Sequence, residues 1–348
     1  MKRLIGIFIF LLICMSSPVY ADNNDLVQYI GDSYTEGYSS DGMITGDDVW
    51  YAQASHKAGL DYTQESYGGI GFVAKLSGKT FSTLLDDGKG KNAKYVVIAG
   101  GYNDMAYSYD TIKNKVYETV KKAQRLYPDA KVLVGMTGDA TSNRTRFKNV
   151  IQAYKDGTKE AGGIYITNSE YALNENKNYF ASDGYHPNVK GHHAIGETIG
   201  GYLMKCEDIS VNSYASTITI GAGTYATSNG HFMNTTGIYH NYYMVDGIVD
   251  QSISGAIKYK DEYYKVDAGK VDTSYTGPWT YNGTTYYLIN GHTNKNMNGP
   301  VKNKGYWYYV ENGLVVNKNT IVYFNGDWYY IHNGKLDKDY TGLVDYNG

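Results

Sequence analysis

The last third of this 348-residue chain repeats itself, and that repeat limits the possible fold more tightly than anything else in the sequence. Tyrosine pairs stand at 242–243, 263–264, 286–287, 308–309 and 329–330, a period of 21 to 23 residues. Four or five residues after each pair comes a glycine: Gly247, Gly269, Gly291, Gly313 and Gly334. The fullest copies, YNGTTYYLINGH and FNGDWYYIHNGKLDKDYTG, place Asn-Gly between aromatic stretches. Both residues of that dipeptide tolerate positive φ, so it marks a tight hairpin turn. A unit this short cannot bury its own aromatic face. The expectation for 237–348 is therefore an all-β region of stacked hairpins, its last copy, YTGLVDYNG, stopping after one strand.

Upstream the pattern is different. Lys94 to Ala99 (KYVVIA) is a continuous apolar run of the kind buried on both faces of a parallel sheet, and Lys131 to Met136 and Gly163 to Thr167 repeat its character. Between them Ile112, Val116, Val120 and Ala123 fall at helical spacing over Asp110 to Tyr127, where Pro128 ends the segment. Phe147 to Ala161 and Val189 to Met204 read as two more helices. Strand, helix, strand in this order predicts a doubly wound α/β domain over 22–206. The stretch 207–236, rich in Ser, Thr, Asn and Gly, reads as a connecting β segment.

The first residues are expected to be absent from the mature fold. Lys2 and Arg3 precede an apolar run from Leu4 to Cys14, and Val19-Tyr20-Ala21 fits a small-residue cleavage site, so 1–21 reads as a secretory signal peptide. The run is too short to span a bilayer, and no later segment approaches the necessary length. The formal charge is −3, and −5 once Lys2 and Arg3 are gone, which argues against nucleic acid as the main partner. Only Cys206 remains, so no internal disulfide is available.

The α/β part also carries groups that suit chemistry. In VQYIGDSYTEGY a short strand, Val27 to Ile30, runs into Gly31, Asp32 and Ser33. Ser33 at such a strand end is a helix cap, a turn residue or a nucleophile. A nucleophilic serine needs a histidine oriented by a carboxylate. SDGYHPN supplies both, with Asp183 three residues before His186. Strand-end loops of an open α/β sheet converge on one side, where Ser33 and His186 can meet. Donors for a developing oxyanion are offered by Asn103 in AGGYND, by the Ser33 amide, and by SYGGIGF, with Gly69 as first choice and Gly71 as second. Asp32 and Asp104 read as hydrogen-bonders that hold their loops. His192 and His193 read as packing or surface residues, and Arg144 and Arg146 as solvated loop charges rather than an anion site.

GDS at 31–33, a glycine of GGIGF, GYND at 101–104 and DGYH at 183–186 resemble, in order, the four blocks of the SGNH (GDSL-type) hydrolases, over roughly residues 26 to 205. The resemblance implies a flavodoxin-like three-layer sandwich, with Ser33 as nucleophile and His186 as base. It implies Asp183 as orienter of His186, Gly69 and Asn103 as oxyanion donors, and no metal or cofactor. It also implies cleavage of esters on lipids, polysaccharides, peptidoglycan or small acyl compounds. Tyr34 stands where many members carry Leu. The repeats are similar to the aromatic-glycine cell-wall-binding and glucan-binding repeats of secreted proteins, with Trp307 and Trp328 as candidate binding residues. Asn241, Glu262 and Thr285 occupy the equivalent places in earlier copies, which argues against choline as the ligand.

Together these readings predict a secreted serine esterase, wall- or surface-associated. It would remove short, acetyl-like acyl groups from a polysaccharide or cell-wall glycan, tethered by its repeats to that polymer or a glucan. A lipid-directed esterase anchored at the wall and a non-catalytic surface adhesin are the competing readings.

Overall fold

The computed structural model describes residues 25–88, 92–137, 144–173, 176–337 and 339–344. The segment 1–21, expected to be a signal peptide, lies outside these, as do the side chains of Arg144 and Arg146 and the end of the last repeat.

The first domain is a three-layer sandwich around a five-stranded parallel sheet. Its strands are β1 (Leu26–Gly31), β2 (Asp61–Ser66), β3 (Tyr95–Gly100), β4 (Lys131–Met136) and β5 (Ile164–Tyr165), in the order β2-β1-β3-β4-β5. This is the flavodoxin-like order, in which the chain reverses direction beside β1 and opens a crevice at the strands' carboxyl ends. The central strand β3 is buried along its whole length because each of its faces meets a different helical layer. Tyr95, Val97 and Ala99 face α2 (Trp50–Lys57) and α6 (Val189–Cys206). Val96 and Ile98 face α3 (Phe81–Asp87), α4 (Tyr109–Leu126) and α5 (Arg144–Glu160). The period-2 alternation of a strand is thus spent on two separate cores.

The short apolar run 163–167 yields only a two-residue edge strand. Edge strand β2, DYTQES, has no apolar run at all, and α2 and α3 are short; none of the three is legible from periodicity.

The C-terminal region is antiparallel throughout, and its plan is uniform. Each unit has a strand, a tight turn, a second strand and a short third strand. In one unit these are Gly255–Tyr259, Glu262–Asp267 and Lys270–Val271. The turn residues lie in the left-handed region, for example Asn282 at φ 47° and Gly283 at φ 78°. The segment 217–232 takes the same form, with Thr217–Ile220, Gly223–Ser228 and His231–Phe232, so the plan begins one unit before the tyrosine-pair repeat.

Successive units are joined by a recurrent pairing. The residue after each repeat glycine pairs with a tyrosine of the unit before: Ile248 with Tyr225, Lys270 with Tyr242, His292 with Tyr264, Leu314 with Tyr286 and Lys335 with Tyr308. Their cores are thin. Ala226, Met244 and Val249 form one cluster, Tyr287, Val310 and Val315 another, and Tyr309, Val322 and Ile331 a third.

The first unit belongs to the α/β domain's packing as much as to the stack. Ile220 and Tyr225 share a core with Ile199, Tyr202 and Leu203 of α6. Gly201 makes this approach possible, because a Cβ there would sit 2.8 Å from Ile220. Buried Asn168 fastens the next unit: its amide donates to Val249 O at 2.7 Å, and its oxygen accepts from Gln251 N at 3.1 Å.

Candidate active site

β1 ends at Gly31, where no other residue fits: a Cβ would lie 1.8 Å from Thr35 Oγ1 and 3.0 Å from Ala99 O. The chain then turns into α1 (Ser33–Glu36), a single turn ended by Gly37 at φ 80°. Asp32 caps this turn, its Oδ1 accepting from Tyr34 N at 3.1 Å. Ser33 is therefore the first helical residue, raised at the carboxyl end of the sheet. So short a helix contributes little dipole.

The structure brings Ser33, His186 and Asp183 together. Ser33 Oγ lies 3.2 Å from His186 Nε2, and His186 Nδ1 lies 2.7 Å from Asp183 Oδ2. The other oxygen of Asp183 accepts from the amides of Tyr185 at 2.8 Å and His186 at 3.0 Å. Burial alone would raise the Asp183 carboxyl. The His186 ring and those two amides outweigh it and hold the carboxyl below its ordinary value. Asp183 thus stays ionised and fixes a proton on Nδ1, which leaves Nε2 as the acceptor facing the serine.

Several residues to which sequence reasoning gave no such role hold this loop in place. The Tyr34 hydroxyl donates to Tyr185 O at 2.5 Å, tying the serine's helix to the histidine's loop. Tyr38 meets the His186 ring edge-on at 4.6 Å between centroids. Ser40 Oγ accepts from Asp183 N at 3.1 Å, and the Asp41 carboxylate accepts from Ser182 N. Segment 34–41 is a strap over the 182–186 loop. These partners lie more than 140 residues apart, and no local pattern announces them.

On the opposite side stands Asn103, in the 3-10 turn after β3. Its Nδ2 donates to Ile70 O at 2.8 Å and, at longer range, to Asp32 Oδ2 at 3.3 Å. Its neighbour Asp104 is fully buried and accepts from the amides of Phe72, Val73 and Ala74 and from the Tyr154 hydroxyl, at 2.7 to 3.0 Å. It shapes the whole 69–74 loop. Gly71 is glycine for the same reason, since a Cβ there would lie 2.4 Å from the Asp104 carboxylate. The Gly71 amide donates to Ala74 O at 3.0 Å and so is engaged. Gly69, at φ 76°, lines the cleft with its amide bonded to no acceptor among the described residues.

The cleft holds about 480 Å³ and is walled by Ser33, His186, Asn103 and Gly69, with the rings of Tyr34, Tyr38, Tyr102 and Tyr185. Asp32 lies beneath it, only 2 % exposed. Burial, against the pull of the Tyr34 amide and reinforced by Asp104, pushes its carboxyl up to about 7.

Other residues singled out by sequence stand elsewhere. His192 is buried under α2 and accepts from Trp50 N at 3.3 Å; burial pushes it down to about 4, so it packs as a neutral ring. His193 meets Asp48 at the surface. Trp307 and Trp328 lie on successive hairpins. Trp307 borders a groove of about 330 Å³ with Tyr306, His332 and Lys335. Trp328 is 57 % exposed, its ring 5.1 Å from that of Tyr323. Among the described residues no helix is long and apolar enough to cross a membrane.

Residues 29–194 match the model of the GDSL-like Lipase/Acylhydrolase family. No curated protein matches the chain. Among solved structures, a carbohydrate esterase family 2 enzyme plus carbohydrate binding domain from Corynascus thermopiles is 19 % identical, with a TM-score of 0.43 over 51 % of this chain and 65 % of that one. A family two carbohydrate esterase from Cellvibrio japonicus is 12 % identical, with a TM-score of 0.44 over 53 % of this chain and 62 % of that one. A putative lipolytic protein of the G-D-S-L family from Desulfitobacterium hafniense DCB-2 is 16 % identical, with a TM-score of 0.39 over 51 % and 99 %. The chain thus spans less than two thirds of the two carbohydrate esterases. The matched segment is similar to a GDSL-like lipase/acylhydrolase domain, and the chain is a serine ester hydrolase.

Proposed function

We propose that this enzyme removes short acyl groups, acetyl or similar, from a polysaccharide or cell-wall glycan outside the cell, with Ser33 as nucleophile. The observation that carries the reading is the continuous path from Ser33 Oγ through His186 to Asp183, 3.2 and 2.7 Å long, opening into a tyrosine-walled cleft. His186 takes the serine proton as Oγ attacks the ester carbonyl. The amides of Ser33 and Gly69 and the side chain of Asn103 hold the oxyanion. His186 then returns its proton to the departing alcohol, and water, activated by the same ring, releases the acid. Asp183 keeps the ring's tautomer and steadies its positive charge.

The glycan part rests on architecture. Tyrosine faces suit sugar rings, and the exposed rings of Tyr306, Tyr323 and Trp328 on the stack offer further platforms. A polymer held by the stack raises the ester concentration at the cleft. Under this reading 1–21 is a secretory leader and 237–348 holds the enzyme at its polymer. Hydrolysis of p-nitrophenyl esters of rising chain length, beside acetylated glycans and lipid esters, tests it. A maximum at acetyl with turnover of an acetylated glycan supports the reading. A maximum at long chains replaces it with the lipid-directed one.

A further inference from the structure

We propose that Asp32 is a positioning residue for the oxyanion hole: it decides which end of the Asn103 carboxamide faces the cleft. The inference rests on the proposed role of Asn103 and deepens it.

A carboxamide can turn its plane by half a revolution and exchange a donor for an acceptor at little steric cost. In an oxyanion hole that exchange is ruinous, because a carbonyl oxygen would meet the developing negative charge. Something must therefore select the orientation. Asn103 Nδ2 lies between two acceptors, Ile70 O at 2.8 Å and Asp32 Oδ2 at 3.3 Å. A flipped amide would set its oxygen against both. Ile70 O is backbone and cannot be altered; Asp32 is the half of the pair that a side chain provides.

The carboxylate is well built for this. Its other oxygen is spent on the Tyr34 amide, so it cannot rotate away without uncapping the serine's own turn. A Cβ on Gly100 would come within 2.9 Å of Oδ2, so glycine there leaves the carboxylate its place. One side chain thus links the nucleophile's turn to the oxyanion donor. The bond to Asp32 is the longer of the two, and it is the one that yields when a stronger acceptor forms on the substrate.

The test is a double-mutant cycle. Asp32→Asn is nearly isosteric, but only one of its two ends accepts: with its oxygen on the Tyr34 amide, its amino group faces Asn103 as a donor. It favours the flipped Asn103. Four proteins are compared on a p-nitrophenyl ester: wild type, Asp32→Asn, Asn103→Ala and the double variant, each checked for fold by near-ultraviolet circular dichroism. Asn103→Ala is expected to lower kcat on the order of a hundred- to a thousand-fold. Asp32→Asn should lower kcat about tenfold or more with KM unchanged, and should cost less than about threefold once Asn103 is gone. Equal losses from Asp32→Asn in both backgrounds overturn the proposal and leave Asn103 in the hole. A loss below about fivefold for Asn103→Ala removes the reading beneath it as well. Should Asp32→Asn not fold, Asp32→Ser, which keeps a cap for Tyr34 N but cannot reach Asn103, enters the same cycle.

Discussion

The two regions solve the problem of holding a chain in place by opposite means. In the hydrolase domain the decisive contacts join distant segments. Ser33 meets His186 across 153 residues, and Asp104 gathers three amides from a loop about thirty residues upstream. In the stack, the recurrent contact is one residue seated by backbone pairing opposite a tyrosine of the unit before. Damage should therefore spread through the first region and stay local in the second. An active site needs the first kind of order, because groups from loops far apart in sequence must agree to a fraction of an ångström. A ligand-holding surface tolerates the second.

The largest effect separates chemistry from attachment. Ser33→Ala should lower ester hydrolysis on the order of ten-thousand-fold or more while the full chain's retention on glycan columns is unchanged. Parallel loss of retention would mean that the stack does not act independently.

Asp104→Ala should come next. It strands four donors, three of them amides of the 69–74 loop, at a cost of about 3–5 kcal/mol to the α/β domain. Two calorimetric transitions, with only one displaced, would support the contrast; a single shifted transition would break it.

Asp32 gives a pH-dependent version. Its carboxyl is raised to about 7, so the folded state keeps a proton that the unfolded chain gives up near 4. Wild-type stability then falls as pH rises from about 4 to 7 and is flat above. Asp32→Asn cannot lose that proton, so its stability relative to wild type should rise by about 4 kcal/mol across the same window. A pH-independent difference in denaturation midpoint would contradict this.

The smallest effects lie in the stack. Gly283, at φ 78° with open space around it, should cost about 1 kcal/mol when changed to alanine. Gly247 should cost more, since a Cβ there would lie 1.7 Å from Met233 O. Neither should alter turnover of a small ester. A change in kcat from Gly283→Ala would show that the stack reaches the cleft.

How much of this was legible in sequence follows the same division. Asp183 and His186 sit three apart in one turn, so their partnership could be read locally, and the strand-end position of Ser33 followed from a hydrophobic run. The strap of Tyr34, Ser40 and Asp41 could not be read, because hydroxyls and short acids pair across the chain without any periodic trace. Asp32 and Asp104 were legible as loop-holders, but not which donors each would hold. The stack's period was plain, whereas its seats were hidden: the residues occupying them are Ile248, Lys270, His292, Leu314 and Lys335, which share a position and no chemistry.

Those seats also give the stack a direction of assembly. Each third strand pairs with a tyrosine of the unit before it, and the first such tyrosine, Tyr225, packs in one core with α6. The hydrolase domain is in this sense a seed. It presents the edge against which the first unit packs, and each later unit adds to the edge of the one before it. Units could then be gained or lost at the far end without consulting the enzyme, while the unit on α6 could not be exchanged for any of the others.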